Sequence, residues 1–168
     1  MRYQVRQRIF SLGADFWITD EDGNEAFHVD GHALQFRKTF ELTDRDGSAV
    51  AVIKQQFFRL RGTMDIERDG AVIATVRRAS FSPFRHRYDV ALAGGAEWQA
   101  AGNFADMDWD ITDGGGQVVG RISRAWFRVR DTYGVEVEPG QDAALVIAVA
   151  VSVDRLREIA RRAAAAGG

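Results

Sequence analysis

An unbroken apolar segment, Ala143 to Val153 (AALVIAVAVSV), lies between Asp142 and Asp154, late in a chain whose preceding residues read almost entirely as β-hairpins. Interrupted only by Ser152, it is too short to cross a bilayer as a helix, which takes roughly 20 apolar residues. A helix that is apolar on every side has to be buried on every side. In a β-rich chain, the inside of a closed sheet offers that burial. The Val and Ile residues would equally suit a buried strand. The continuation Asp154-Arg155-Leu156-Arg157-Glu158-Ile159-Ala160-Arg161-Arg162 favours helix, because it is rich in strong helix formers and keeps apolar residues at Leu156, Ile159 and Ala160. A helix is therefore expected over about 142–162. Pro139-Gly140 marks the break before it, Asp142 is placed to cap it, and residues 163–168 are expected to fray.

The hairpin reading rests on turn signals that recur every 20–24 residues: Thr19-Asp20-Glu21-Asp22-Gly23, Thr43-Asp44-Arg45-Asp46-Gly47, Glu67-Arg68-Asp69-Gly70, Gly94-Gly95 and Asp113-Gly114-Gly115-Gly116. Asp-Gly favours the positive φ of a type I′ hairpin turn, whose twist matches that of the strands. Only the turn repeats, with no shared strand consensus, so the spacing indicates a meander rather than a solenoid. Between turns, Tyr3–Ile9, Phe16–Ile18 and Leu34–Leu42 alternate in character. Ala71–Val76 is β-branched and more continuous, and Gln117–Ile122 and Ala125–Val129 follow the last Gly-rich turn. Strict period two puts one face inward and the other in solvent. About twelve strands result. A sheet of that length tends to close, and the closed barrel is wider than its own side chains fill. The apolar helix supplies the missing interior. The fold class is thus all-β with one helix, a closed antiparallel barrel of about twelve strands around a buried C-terminal helix, forming one domain over 1–162.

The last third of the sequence also resembles a known family. Ile122-Ser123-Arg124-Ala125-Trp126-Phe127 leads into Arg130-Asp131-Thr132-Tyr133-Gly134-Val135-Glu136-Val137, then Asp142 and the apolar helix. Phe16-Trp17-Ile18-Thr19-Asp20 with Gly23 fits a first hairpin of that family, and Gly102-Asn103-Phe104 with Trp109-Asp110-Ile111 a later one. The sequence is similar to the LURP-one-related proteins, whose fold resembles the tubby C-terminal domain and the phospholipid scramblases. The resemblance implies a twelve-stranded barrel wrapped around a C-terminal helix. It implies no defined reaction, and tubby-type phosphoinositide binding does not map residue by residue onto this chain.

Composition narrows the function classes. The chain has 168 residues and a net charge of −2, which gives no global pull toward nucleic acid or acidic membranes, so any such binding has to be local. No nucleic-acid partner is expected. The absence of cysteine excludes disulfides, thiolate metal sites and thiol nucleophiles. The first ten residues lack the apolar core of a signal peptide, and with no transmembrane segment the expected location is cytoplasmic, peripheral at a membrane if the lipid reading below holds. Of the 22 Lys and Arg residues all but two are Arg, which with the many Ala and Gly suggests a GC-rich bacterial genome.

The basic residues are the main site candidates. Lys54, Arg59 and Arg61 stand next to Phe57-Phe58, Arg77 and Arg78 end the following strand, and Arg85 and Arg87 lie just past Pro83. Paired as hairpin neighbours they would form a cationic strip able to hold phosphate bidentately. They would equally serve as a solvated face whose stems cover apolar surface, partly neutralised by Asp65, Glu67 and Asp69. Arg124, Trp126, Arg128 and Arg130 share one parity, which sets Trp126 either outside among cations, as an interfacial anchor, or in the core if a bulge swaps the faces. Asp106, Asp108 and Asp110 alternate along one strand, a pattern commoner on a solvated edge than in a calcium site. No metal is assigned. His28, His32 and His86 sit in no catalytic signature, and no nucleophile elbow, phosphate loop or dinucleotide fingerprint occurs. No catalytic residue and no cofactor are expected. The reading that results is a non-enzymatic binding or scaffold module, with an anionic membrane surface or a protein as its partner; scramblase-like lipid transport follows from the family analogy alone.

Overall fold

The computed structural model describes residues 1–6, 16–30, 39–56, 62–79, 86–103, 108–124, 126 and 132–167. Twelve antiparallel strands occur among them: β1 (Arg2–Arg6), β2 (Phe16–Asp20), β3 (Glu25–Asp30), β4 (Thr39–Asp44), β5 (Ala49–Gln56), β6 (Thr63–Arg68), β7 (Ala71–Arg78), β8 (His86–Leu92), β9 (Glu97–Asn103), β10 (Asp108–Asp113), β11 (Val118–Ser123) and β12 (Thr132–Val137). One helix, α1 (Ala143–Ala166), follows. Each strand pairs with its sequence neighbours, and β1 also pairs with β12 from Arg2↔Glu136 to Arg6↔Thr132. The sheet therefore has no free edge. The plugged twelve-stranded barrel expected from the pattern is the observed fold.

Period two sorts the side chains. Phe40 and Leu42, Met64 and Ile66, Ala74 and Val76, Tyr88 and Val90, Trp109 and Ile111, and Tyr133 and Val135 are all buried. Their alternates, such as Lys54, Arg87 and Asp110, point outward. Along α1, Ala144, every residue from Val146 to Asp154, and Leu156 are buried, so the helix is enclosed on all sides for about three turns. Ser152 is tolerated there because its hydroxyl donates to the Ala148 carbonyl at 2.7 Å. Asp142 caps the helix, accepting from the Leu145 N–H at 3.1 Å. The helix continues to Ala166, past the expected end near 162. A Cβ built at Gly120 of β11 would lie 2.6 Å from Val146 Cγ1 and 2.9 Å from the Glu136 carbonyl. Glycine here lets the helix lie against the wall. Gly120→Ala is accordingly expected to cost about 1–3 kcal/mol through overpacking, read as a lower urea midpoint; an unchanged midpoint would show that the helix has slack at this level.

The turns differ from the expected type I′ geometry at most positions. Asp69 (φ 52°) and Gly70 (φ 78°) both take positive φ, as a type I′ turn requires. In the Asp20, Asp44 and Asp113 turns only the glycine three residues on does so (Gly23, Gly47 and Gly116). In each of the three the aspartate carboxylate accepts the backbone N–H groups two and four residues ahead, at 2.8–3.0 Å. The leading aspartate selects this longer loop because its side chain satisfies N–H groups that the wider turn leaves open.

Because the strands run up and down in order, all these tight turns fall on one rim of the barrel, together with the N-terminus of α1. The last residues of β1, β3, β5, β7, β9 and β11 and the first of β2, β4, β6, β8, β10 and β12 fall on the other. The helix leaves through this second rim, where Leu156 Cδ2 lies 2.9 Å from a Cβ built at Gly62, at the start of β6.

Candidate functional site

Among the described residues, acidic side chains predominate at one rim and basic ones at the other. The turn rim presents Glu21, Asp22, Asp46 and Asp69, all exposed, with Asp142 tied to Arg68 at 2.7 Å. Burial works against the Asp142 charge, but the Arg68 hydrogen bond and the first-turn N–H groups outweigh it and hold the carboxyl below its ordinary value. The exit rim presents Arg78 at the end of β7 and Arg124 just after β11, both exposed. Beyond them the emerging helix bears Arg155, Arg157, Arg161 and Arg162 against Asp154 and Glu158. Arg161 and Arg162 both reach Glu158, at 2.8 and 2.7 Å.

The cationic strip expected from the sequence is distributed unevenly. Lys54 faces outward from β5 and pairs with Glu67 of β6 at 2.5 Å. Neighbouring Asp65 accepts from Gln56 at 2.6 Å and from Thr75 at 2.7 Å. Arg77 is exposed, opposite Asp89 of β8 in register, and Arg87 lies 3.2 Å from the same carboxylate. These three residues border a shallow depression of about 180 Å³ with Glu97 and Gln99 of β9. Its charges alternate in sign because neighbouring strands put an acid beside each base. Arg78 has the opposite parity and stands at the exit rim instead. Arg59, Arg61, Arg85, Arg128 and Arg130 lie outside the described residues, as do Asp106, His32 and Phe57-Phe58.

Trp126 is half-buried in a turn beyond β11, so the strand expected over Ala125–Val129 is not formed at this position. Its ring packs under the Arg2 guanidinium, 5.0 Å from the centroid, outside the core. Arg2 also bonds Glu136 at 3.2 Å. Asp108 and Asp110 point outward from β10, and Asp110 lies 3.3 Å from Arg121. Arg121, which sequence reading did not single out, also reaches Glu136 and Glu138, at 3.3 and 2.7 Å. Its carboxylate partners outweigh its burial and raise its pKa further. Among the described residues no group of His, Asp and Glu is arranged to hold a metal, and no helix is long and apolar enough to cross a membrane.

Sequence reading also missed a polar cluster inside the barrel. Asp154 is only 3% exposed. Its Oδ1 is 3.2 Å from Arg157 Nη2, and its Oδ2 has no hydrogen-bond partner among the described residues. Burial raises its pKa to about 6 despite the nearby Arg157 and Arg124. The hydroxyls of Tyr88 and Tyr133 are buried close by, with no hydrogen-bond partner among the described residues. Burial pushes Tyr88 up to about 12 and Tyr133 well above its ordinary value. The available signal was the aspartate itself, ending an apolar run with Leu156 and Ile159 still to come.

An X-ray structure of a protein from Arabidopsis thaliana, AT5G01750, has the same fold, with a TM-score of 0.66 at 18% identity over 94% of this chain and 91% of that one. An uncharacterised protein of Bacillus subtilis (strain 168), YxjI, is 24% identical over 151 residues, covering 89% of this chain and 90% of its own. The LURP-one-related family matches residues 1–154, from the first strand to the buried aspartate of the plug helix, and the chain belongs to that family.

Proposed function

We propose that this domain is a non-enzymatic binding module that docks, exit rim first, onto an anionic lipid surface. The supporting observation is the division of charge between the rims: Arg78, Arg124, Arg161 and Arg162 stand at one end of a barrel whose opposite end is acidic. Such a molecule orients in the field of a negative surface before contact. Each Lys or Arg close to an acidic membrane contributes about 1 kcal/mol, so this end suffices for reversible recruitment. The side-wall residues Lys54, Arg77 and Arg87 lie beside Glu67 and Asp89, as Arg161 and Arg162 lie beside Glu158, but they stand away from the exit rim and contribute less.

Co-sedimentation with vesicles tests the reading. The protein is expected to pellet with phosphatidylserine-containing vesicles at low salt, to be released near physiological salt as screening shortens to about 8 Å, and to ignore phosphatidylcholine vesicles. Arg78→Glu, Arg124→Glu, Arg161→Glu and Arg162→Glu together should abolish binding, whereas Lys54→Glu should leave it near wild type. Salt-independent binding, or binding that survives the fourfold reversal, would sink the proposal and turn attention to a protein partner.

A further inference from the structure

The polar cluster lies at the level where α1 leaves the barrel. Above it, the helix is apolar and Gly120 lets it touch the wall. At its level, a carboxylate is enclosed among Trp109, Ile122, Ala150 and Val153, with one oxygen unmatched. The charged and titratable groups near it are Tyr88 on β8, Tyr133 on β12, Arg124 after β11, and Arg155, Arg157 and Glu158 on the helix itself, with Arg78 at the end of β7 acting on Tyr88. An ionised carboxylate buried without full pairing is costly, and its neutral form is far less so. Releasing the last turns of α1 from the rim would return Asp154 to water and remove that cost.

We infer that Asp154 is a proton-operated latch on the plug helix: protonated, it holds the turns from Asp154 to Ala160 in the barrel mouth, and ionised, it loosens them. The inference does not depend on what the exit rim binds. The sign follows from linkage. The seated acid has the higher pKa, about 6 against an ordinary 3.8, so the seated state binds the proton more tightly and is favoured as pH falls. With those two values the seated-to-released ratio changes about tenfold between pH 7 and pH 5. Asp142, at the other end of the helix, has a lowered pKa and stays ionised throughout this window.

Two measurements on the full chain test the latch. Carboxyl carbon NMR of the wild-type protein should give an Asp154 titration midpoint near pH 6; a midpoint near 4 overturns it. Hydrogen exchange of the amides from Asp154 to Ala166, corrected for intrinsic rates, should show about tenfold more protection at pH 5 than at pH 7. Asp154→Asn should remove this difference while leaving every other titratable group in place. Equal protection at the two pH values in wild type, or an unchanged pH difference in the variant, refutes it.

Discussion

Val149→Asp is expected to abolish cooperative folding. Val149 is completely buried at the middle of the enclosed part of α1, between Ala148 and Ala150, which are equally inaccessible. No basic residue lies within a turn of it along the helix. A carboxylate here has to lose its hydration without a partner or take up a proton at some cost. Either way it also replaces a branched apolar side chain in a close-packed interior. Losses above about 4 kcal/mol are rare for single substitutions and come from such unpaired buried charges, and a domain of this size has only about 5–15 kcal/mol in hand. Ile147→Asp should behave alike. The measurement is thermal and urea unfolding followed by near-ultraviolet circular dichroism, which the buried Trp109 and Tyr133 should dominate. Val149→Ala serves as a control, retaining a cooperative transition at a cost within about 0.5–3 kcal/mol. A Val149→Asp protein that unfolds cooperatively near the wild-type midpoint would mean that the helix is not the core.

Ending the chain after Gln141 should have an effect of the same order. All twelve strands and their pairing residues would remain, yet the inward faces of Ile53, Met64, Ile66, Val76, Ile111 and Val135 would line a space with nothing in it. A barrel of this many strands does not close over that space with its own side chains. The truncated chain should therefore collapse to a partly ordered state that binds a hydrophobic dye and aggregates at micromolar concentration. A soluble monomer with a sharp unfolding transition would refute the plugged-barrel account. Adding the missing segment as a separate peptide sharpens the test, since recovery of the near-ultraviolet spectrum would tie the defect to the lost filling.

Much of this architecture was legible because its signals are local and redundant. Each hairpin repeats the same aspartate and glycine chemistry, each strand repeats the same alternation, and the 143–153 segment has one physically sensible location once the rest is a sheet. What could not be read was set by partners distant in sequence. Lys54 and Arg87 look like members of a cationic strip until Glu67 and Asp89 are brought beside them. Arg121 gathers three carboxylates through pairings with β10 and β12 that no spacing reveals. Trp126 was open between two faces of a strand and instead sits in a turn under Arg2. The Ala163–Ala166 tail was expected to fray, but the buried turns before it have already met the cost of helix nucleation, and alanine extends a helix more readily than any other residue. The charge difference between the rims rests on residues such as Glu21, Asp46, Asp69, Arg78 and Arg124, which are sorted to one end or the other only once the strands are ordered up and down.

The seam between β1 and β12 bears on how the molecule is made. Arg2 finds Glu136 only after more than 130 intervening residues have been synthesised, a pairing of very high contact order. On the ribosome the growing sheet therefore has two open edges and an uncovered apolar face until β12 has emerged. The segment that covers that face follows all twelve strands. Closure cannot precede the arrival of α1 without trapping it outside, so docking of the helix and zipping of the seam have to be nearly one event. Until that event the nascent chain is a sticky, curved ribbon, exposed to aggregation.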